Sequence, residues 1–389
     1  MMVVPAFIHG HAGHADWRVA LAECRRQLIG RGAGIGSPYT LGWCYFTDYH
    51  AGAAEAILQE LHGVFPGVQW VGTDGVGVAA SGIEYFDEPG IVLMLAALAP
   101  ETFRLFSGRR PLAGQESGFS AHTALVHSDG TTPGLQDLIR ELSANTATGY
   151  LFGGLSSARR SPVHLAEGVF SGGLSGVLFS GEVGLISRVT QGCQPIGPVR
   201  RITSAQDNYV LTLDDQPALD CLLSDLDLDP DLDGDELIES LGPVLVGLSI
   251  GADDTPHWPG QFGSDTQVRH LIGVDPRHRV LAVAEHIVDG TRLAFCSRNP
   301  ESARGDLVRI ATEIRDQLES GAGTALGALY VSCSGRGGPH FGERHGELRT
   351  LRQALGEVPL VGFFAGGEIA RDRLYGYTGV LTVFTGEST

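Results

Sequence analysis

The sequence predicts an α/β (α+β) protein of two domains, with mixed β-sheets flanked by helices. Three observations carry this. Apolar residues recur at helical spacing between short strand-like runs, one strand–helix–strand pattern occurs three times, and hairpin-like segments lie between the second and third copies. Helix-flanked strands mixed with hairpins imply mixed or antiparallel sheets, not a doubly wound parallel sheet. A layered α-β-β-α packing with internal repeats is the expected arrangement.

The first copy opens with "LGWCYF" (41–46) and runs into a helix whose buried face carries Ala54, Ile57, Leu58, Leu61 and Phe65. That i, i+3, i+4, i+7 spacing marks one apolar helical face. "VQWVG", a glycine-rich turn "TDGVG" and the strand "GIVLML" follow. The second copy runs from "HTALVHS" into a helix with Thr132 as N-cap, Pro133 at its first position, and Leu135, Leu138, Ile139 and Leu142 buried. "YLFGG", a turn and "GVLF" complete it. In the third, "ALGALYVSC" precedes a helix bearing Leu348, Leu351 and Leu355 and stopped by Gly356. "PLVGFFAGGE" and "TGVLTVF" close that copy. Equal offsets relate Leu58, Leu61 and Gly72 to Ile139, Leu142 and Gly153, and to Leu348, Leu351 and Gly362. The three glycines should therefore occupy equivalent places, each ending or bending a strand.

Between the second and third copies, residues 183–213 and 268–298 alternate apolar and polar positions, with "DPRH" and "DG" as hairpin turns and a short Ala/Leu helix at 217–223. The acidic stretch 224–236 reads as a linker, dividing the chain into domains 1–223 and 237–389. Within it, "DPDLDGDELIE" (229–239) opens like a calcium loop, but Glu239 falls at the eleventh position, where such a loop needs its closing carboxylate at the twelfth. A solvated linker is the simpler expectation.

Composition excludes several functions. A net charge of −18 is the wrong field for nucleic acid. No lysine occurs among the 389 residues, which removes Walker-type phosphate loops, Schiff-base chemistry and lysine bases together. Six dispersed cysteines without a C-x-x-C argue against a zinc ribbon or a thioredoxin-like pair, and for reduced thiols. No apolar run approaches the roughly 20 residues of a membrane span. The N-terminus lacks a basic leader pattern, so a cytoplasmic location is expected.

The motifs "YLFGGLSSAR" (150–159), "GGLSGVLF" (172–179), "TQGCQPIGP" (190–198), "VRHLIGVDP", "LYVSCSGRG", "PLVGFFAGGEIA" and "YGYTGVLTVF" are ordered along nearly the whole chain. Together they resemble the FIST family, with its paired FIST-N and FIST-C domains. The resemblance implies an intracellular bacterial sensory module that binds small ligands such as amino acids. It also implies signalling to a histidine kinase or another protein, and no catalytic activity. Some members are described as haem-based nitric oxide sensors, so a haem sensor is the first alternative.

Two glycine segments carry the binding chemistry. In "GRGG", Gly337 and Gly338 let backbone N–H groups converge on an anion, and Arg336 adds a planar clamp for a carboxylate. In "AGGE", Gly366 and Gly367 precede Glu368, which could accept an ammonium group. Both turns should follow neighbouring strands and face one cleft. Nest, guanidinium and carboxylate together suit a small zwitterion. Gly153, Gly154, Ser156, Ser157 and Arg159 form the corresponding segment of the second copy. Cys333 and Cys193 are the nucleophile candidates of a competing enzyme reading, although as strand-end thiols they need no role beyond packing. His122, His164, His270, His286 and His340 are the candidate haem ligands, with no C-x-x-C-H to choose among them. The cluster His9, His11 and His14 reads as a solvated strand end, and no metal site is expected.

Overall fold

The structure is a computed structural model and describes residues 5–108, 118–230, 232, 234–241, 244–249 and 266–386. Its fold is mixed α/β. The three repeats are β–α–β units built on parallel strand pairs. Leu41–Thr47 runs beside Gln69–Gly75, Thr123–Ser128 beside Tyr150–Ser156, and Thr324–Cys333 beside Leu360–Arg371. Helices Ala54–Val64, Leu135–Ala144 and Gly346–Leu355 make the crossovers, as parallel neighbours require.

Gly72, Gly153 and Gly362 do occupy equivalent places. A Cβ there would come within 1.8, 2.0 and 1.7 Å of the carbonyl oxygens of Cys44, Val126 and Tyr330 on the partner strands. They sit inside their strands and not at the ends, because the neighbouring backbone fills the space a side chain would need.

By contacts the chain forms two compact units, Met1–Thr190 with Arg304–Thr389, and Gln191–Ala303. In the first, a six-stranded and an eleven-stranded sheet pack face to face. Alternation with period two sorts the side chains. Leu41, Trp43 and Tyr45 join Phe152, Leu329 and Phe363 between the sheets, while Cys44 and Phe46 face helices Trp17–Gly30 and Ala54–Val64. Helix Leu135–Ala144 covers the larger sheet through Leu135, Ile139 and Leu142, set against Val126 and Leu151. The α-β-β-α layering therefore belongs to this unit. In the second unit, helices Ala218–Asp225 and Gly234–Leu241 place Leu219, Leu222, Leu237 and Leu241 on Val246, Leu281 and Phe295 of an eight-stranded sheet.

Several local expectations need correction. The stretch 224–236 is not linker throughout, since its ends lie in helices Ala218–Asp225 and Gly234–Leu241. Strand Leu360–Arg371 pairs with Tyr150–Ser156, and that long-range ladder joins the two ends of the chain in one sheet. Asp231 and Asp233, which the calcium reading needs, lie outside the described residues. Thr132 is not an N-cap; the helix starts at Leu135 after Gly134, and the Thr132 hydroxyl accepts the Gly173 N–H at 3.1 Å. "DPRH" does join an antiparallel pair, with the Asp275 carboxylate accepting the N–H groups of Arg277 and His278. Around "DG", strand Val280–Val283 pairs with Gln267–Asp275 and Tyr209–Leu213, while Arg292–Arg298 joins other strands, so that turn closes no hairpin. Gly366 and Gly367 are not a turn after a strand. They lie in a bulge within Leu360–Arg371, between the pairs Ala365–Ser156 and Glu368–Gly154.

Candidate functional site

Strand Thr324–Cys333 ends in a 3₁₀ turn, Ser334–Arg336, and the chain then reaches helix Gly346–Leu355. The helix returns Glu347 to the strand end, where it is 1% exposed. Its Oε1 accepts from Tyr330 Oη at 2.7 Å and from Arg336 Nε at 2.9 Å, and its Oε2 accepts from Ser332 Oγ at 2.9 Å. Arg336 is itself 1% exposed, with its guanidinium 5.3 Å from the Phe341 ring centroid. The expected carboxylate clamp is thus already closed, by a carboxylate of the protein. Gly337 is glycine because the Phe86 ring lies 2.0 Å from where its Cβ would be.

Glu368 is fully buried, and its Oε2 accepts the N–H and hydroxyl of Thr378 at 3.1 and 2.8 Å. Burial pushes its carboxyl up to about 8, against the pull of Thr378 and the Arg336 charge. The neighbouring Cys333 thiol is pushed up to about 12, first by burial and then by the Glu368 charge. A thiol held protonated is the reverse of what a nucleophile needs. The structure therefore brings Cys333, Arg336 and Glu368 together, as a buried polar nucleus closed to solvent.

The "YLFGGLSSAR" segment forms a second cluster. Ser156 Oγ donates to Asp74 Oδ1 at 2.8 Å and accepts the Ala158 N–H, while Ser157 Oγ donates to the Phe364 carbonyl and accepts the Val76 N–H. Arg159 grips Asp48 through Nε at 2.9 Å and Nη2 at 2.7 Å, and Asp87 through Nη1 at 2.5 Å. These side chains lock the loops that follow four strands, Leu41–Thr47, Gln69–Gly75, Ile83–Phe86 and Tyr150–Ser156. Gly154 admits the close approach of Ala365, Val331 and Gly367. Asp74, also fully buried, is pushed up to about 6 by burial. Cys193 belongs to the other unit.

Of the candidate haem ligands, His164 is fully buried with Nδ1 3.0 Å from Thr73 Oγ1. In the N-terminal cluster, His11 Nδ1 lies 2.8 Å from Tyr85 Oη and Arg31 donates to the His9 carbonyl. Among the described residues, no group of three or more His, Cys, Asp or Glu side chains could hold a metal ion.

A cavity of about 340 Å³ opens beside the glycine loop, lined by Glu84, Phe86, Glu88, Gly338, Gly342, Glu343, Arg344 and His345. Of the predicted site residues only Gly338 lines it. Glu84 forms its inner wall, 4% exposed, with Oε1 accepting the Leu348 N–H at 3.2 Å in the first turn of helix Gly346–Leu355. A carboxylate there meets the free N–H groups of a helix start. Burial and the adjacent Glu347 charge push Glu84 up to about 7. The Glu84 N–H donates to His345 Nδ1 at 2.9 Å, which places a neutral His345's proton on Nε2. Arg344 pairs with Glu88, and Arg349 reaches Glu343 at 2.7 Å. The sequence signal missed was the charge density of "GERHGE" (342–347) directly after the glycine loop. Glu84 and Phe86 left none, since they approach from a distant hairpin.

A family model described as the FIST N domain matches residues 40–216, and one described as the FIST C domain matches residues 218–371. An uncharacterized protein of Mycobacterium bovis is 30% identical over 384 residues, covering 94% of each chain. An uncharacterized protein of Mycobacterium tuberculosis is 30% identical over 381 residues, again covering 94% of each.

Proposed function

The chain belongs to the FIST family, whose domains are associated with signal transduction and small-ligand sensing, and from that premise we propose that it is a cytoplasmic sensor of a small zwitterion such as an amino acid. The ligand would occupy the cavity beside the glycine loop, and the output would pass without catalysis to a separate signalling protein such as a histidine kinase.

One observation carries the proposal. The cavity's volume of about 340 Å³ falls within the size range of small-molecule sites, and it combines an aromatic wall with carboxylates and a guanidinium. Arg344 would take the ligand carboxylate, Glu84 and Glu343 its ammonium group, and Phe86 its side chain. The clamp is of the kind the sequence suggested, but with Arg344 and Glu84 in the places given to Arg336 and Glu368. Binding at Glu84 would act on the helix start it caps, and through Glu347 on the buried Arg336.

The test is a thermal-shift screen of the amino acids and simple amines, since a ligand at 100 times its Kd stabilises by about 2.7 kcal/mol. Arg344→Ala and Glu343→Gln should each weaken a hit by removing a charge-assisted contact worth roughly 1.5–3 kcal/mol. A screen without a hit, or a hit indifferent to both substitutions, would overturn the assignment.

A further inference from the structure

The unit Gln191–Ala303 holds a feature that sequence spacing conceals. Cys193 and Cys296 are 103 positions apart, yet the fold sets them side by side. Strand Cys193–Pro195 pairs antiparallel with Arg292–Arg298 in the register Cys193–Arg298, Gln194–Ser297, Pro195–Cys296. With a period of two, Cys193 and Cys296 then share one face as diagonal neighbours. Both are buried, at 4% and 0% exposure, and their thiols are in hydrogen-bond contact. We propose that Cys193 and Cys296 form a redox-active dithiol that peroxides convert to a cross-strand disulfide.

The contact is selective. Cys24 gives its S–H to the Ile91 carbonyl and Cys221 to that of Leu213, while Cys333 lies beside Glu368. Cys44 acts on Cys24 through charge alone, whereas Cys193 and Cys296 are in hydrogen-bond contact. Hydrogen bonding to Cys193, together with burial, holds the proton on Cys296. Cys193, on the terminal strand and 4% exposed where Cys296 is 0%, is the sulfur a peroxide reaches first, and Cys296 is the one that resolves. The Cys193 thiolate attacks a peroxide oxygen, giving a sulfenic acid and, after protonation, water or an alcohol. The Cys296 sulfur then attacks the sulfenic sulfur, its proton leaving with the hydroxide as a second water. Two thiols and one peroxide yield one disulfide, with the peroxide reduced. Access comes from the fold. Strand Cys193–Pro195 ends the strand order of its sheet, and a three-residue terminal strand belongs to the part of a structure that opens most readily.

The absence of lysine makes the test clean, because trypsin cuts this chain only at arginine. Cys193 then lies in the peptide 189–200 and Cys296 in the peptide 293–298. Reduced protein is treated with hydrogen peroxide, denatured, alkylated with N-ethylmaleimide and digested. The expected product is a cross-link between those two peptides, reversed by dithiothreitol, with the other four cysteines alkylated. Cys193→Ser should abolish the link and leave Cys296 alkylated, whereas Cys333→Ser should leave the link intact. Six alkylated cysteines after peroxide, or a disulfide between another pair, would overturn the proposal.

Discussion

Glu347 is the side chain on which the third repeat's strand end depends most. Glu347→Ala would remove one carboxylate from three buried donors, Tyr330 Oη, Ser332 Oγ and Arg336 Nε. The guanidinium would be left without its countercharge at 1% exposure. Breaking a buried pair from one side costs about 3–5 kcal/mol, because the surviving charge stays desolvated. At about 2–4 °C per kcal/mol for a unit of this size, the melting midpoint should fall by roughly 6–20 °C. Arg336→Met combined with Glu347→Leu should recover much of that loss, since an apolar pair leaves no buried charge. Differential scanning calorimetry on Arg336→Met, Glu347→Leu and the double variant gives the coupling directly. Glu347→Ala within 1 kcal/mol of the parent, or a double variant as unstable as the sum of the singles, would refute the reasoning.

Two further predictions follow from the same interior. Glu368, Glu84 and Asp74 have folded-state values raised to about 8, 7 and 6, so their stability contribution is full below pH 4 and is lost as pH rises through those values. Buried His127 and His164 are lowered to about 3 and 4, so their contribution is lost as pH falls below about 6.5. From about pH 4.5 to 8 the three carboxyls outweigh the two imidazoles, so denaturant midpoints should fall overall as pH rises across that range, and Glu368→Gln should flatten the fall; an unchanged slope would reject the buried-carboxyl account. Gly362→Ala should cost more than about 4 kcal/mol or prevent folding, because its Cβ would stand 1.7 Å from the Tyr330 carbonyl oxygen. Gly63→Ala, in a helix with nothing within 4 Å, should instead stabilise by about 0.5–1 kcal/mol, and equal chemical-denaturation midpoints for the two variants would contradict this.

The features legible in the sequence were those that repeat locally. Helical spacing around Leu58, Ile139 and Leu351 located the crossover helices, and three equal offsets placed Gly72, Gly153 and Gly362 in equivalent positions. The features that escaped depend on residues meeting across the fold. Gly366 and Gly367 look like a turn, but a bulge within a strand uses the same glycines, and only the partner Tyr150–Ser156 distinguishes the two. Arg336 and Glu368 were rightly grouped and wrongly opened to solvent. Neither spacing nor composition shows that Glu347 pairs with the arginine from the following helix. Glu84 and Phe86 reach the cavity from some 250 positions upstream of Gly338, beyond any periodic signal.

The ladder between Leu360–Arg371 and Tyr150–Ser156 has a consequence for biosynthesis. The larger sheet cannot close until the last strands leave the ribosome, because Thr324–Cys333, Leu360–Arg371 and Thr378–Gly386 stand among its neighbours. The nascent first half must wait with apolar strand edges exposed, a state prone to aggregation. Residues 191–303, which make up the second compact unit, are synthesised earlier. A truncation near 217, where the two family models meet, would strand the N-terminal half in that waiting state. Expressing the halves as separate chains should recover the sheet only when both are made in the same cell.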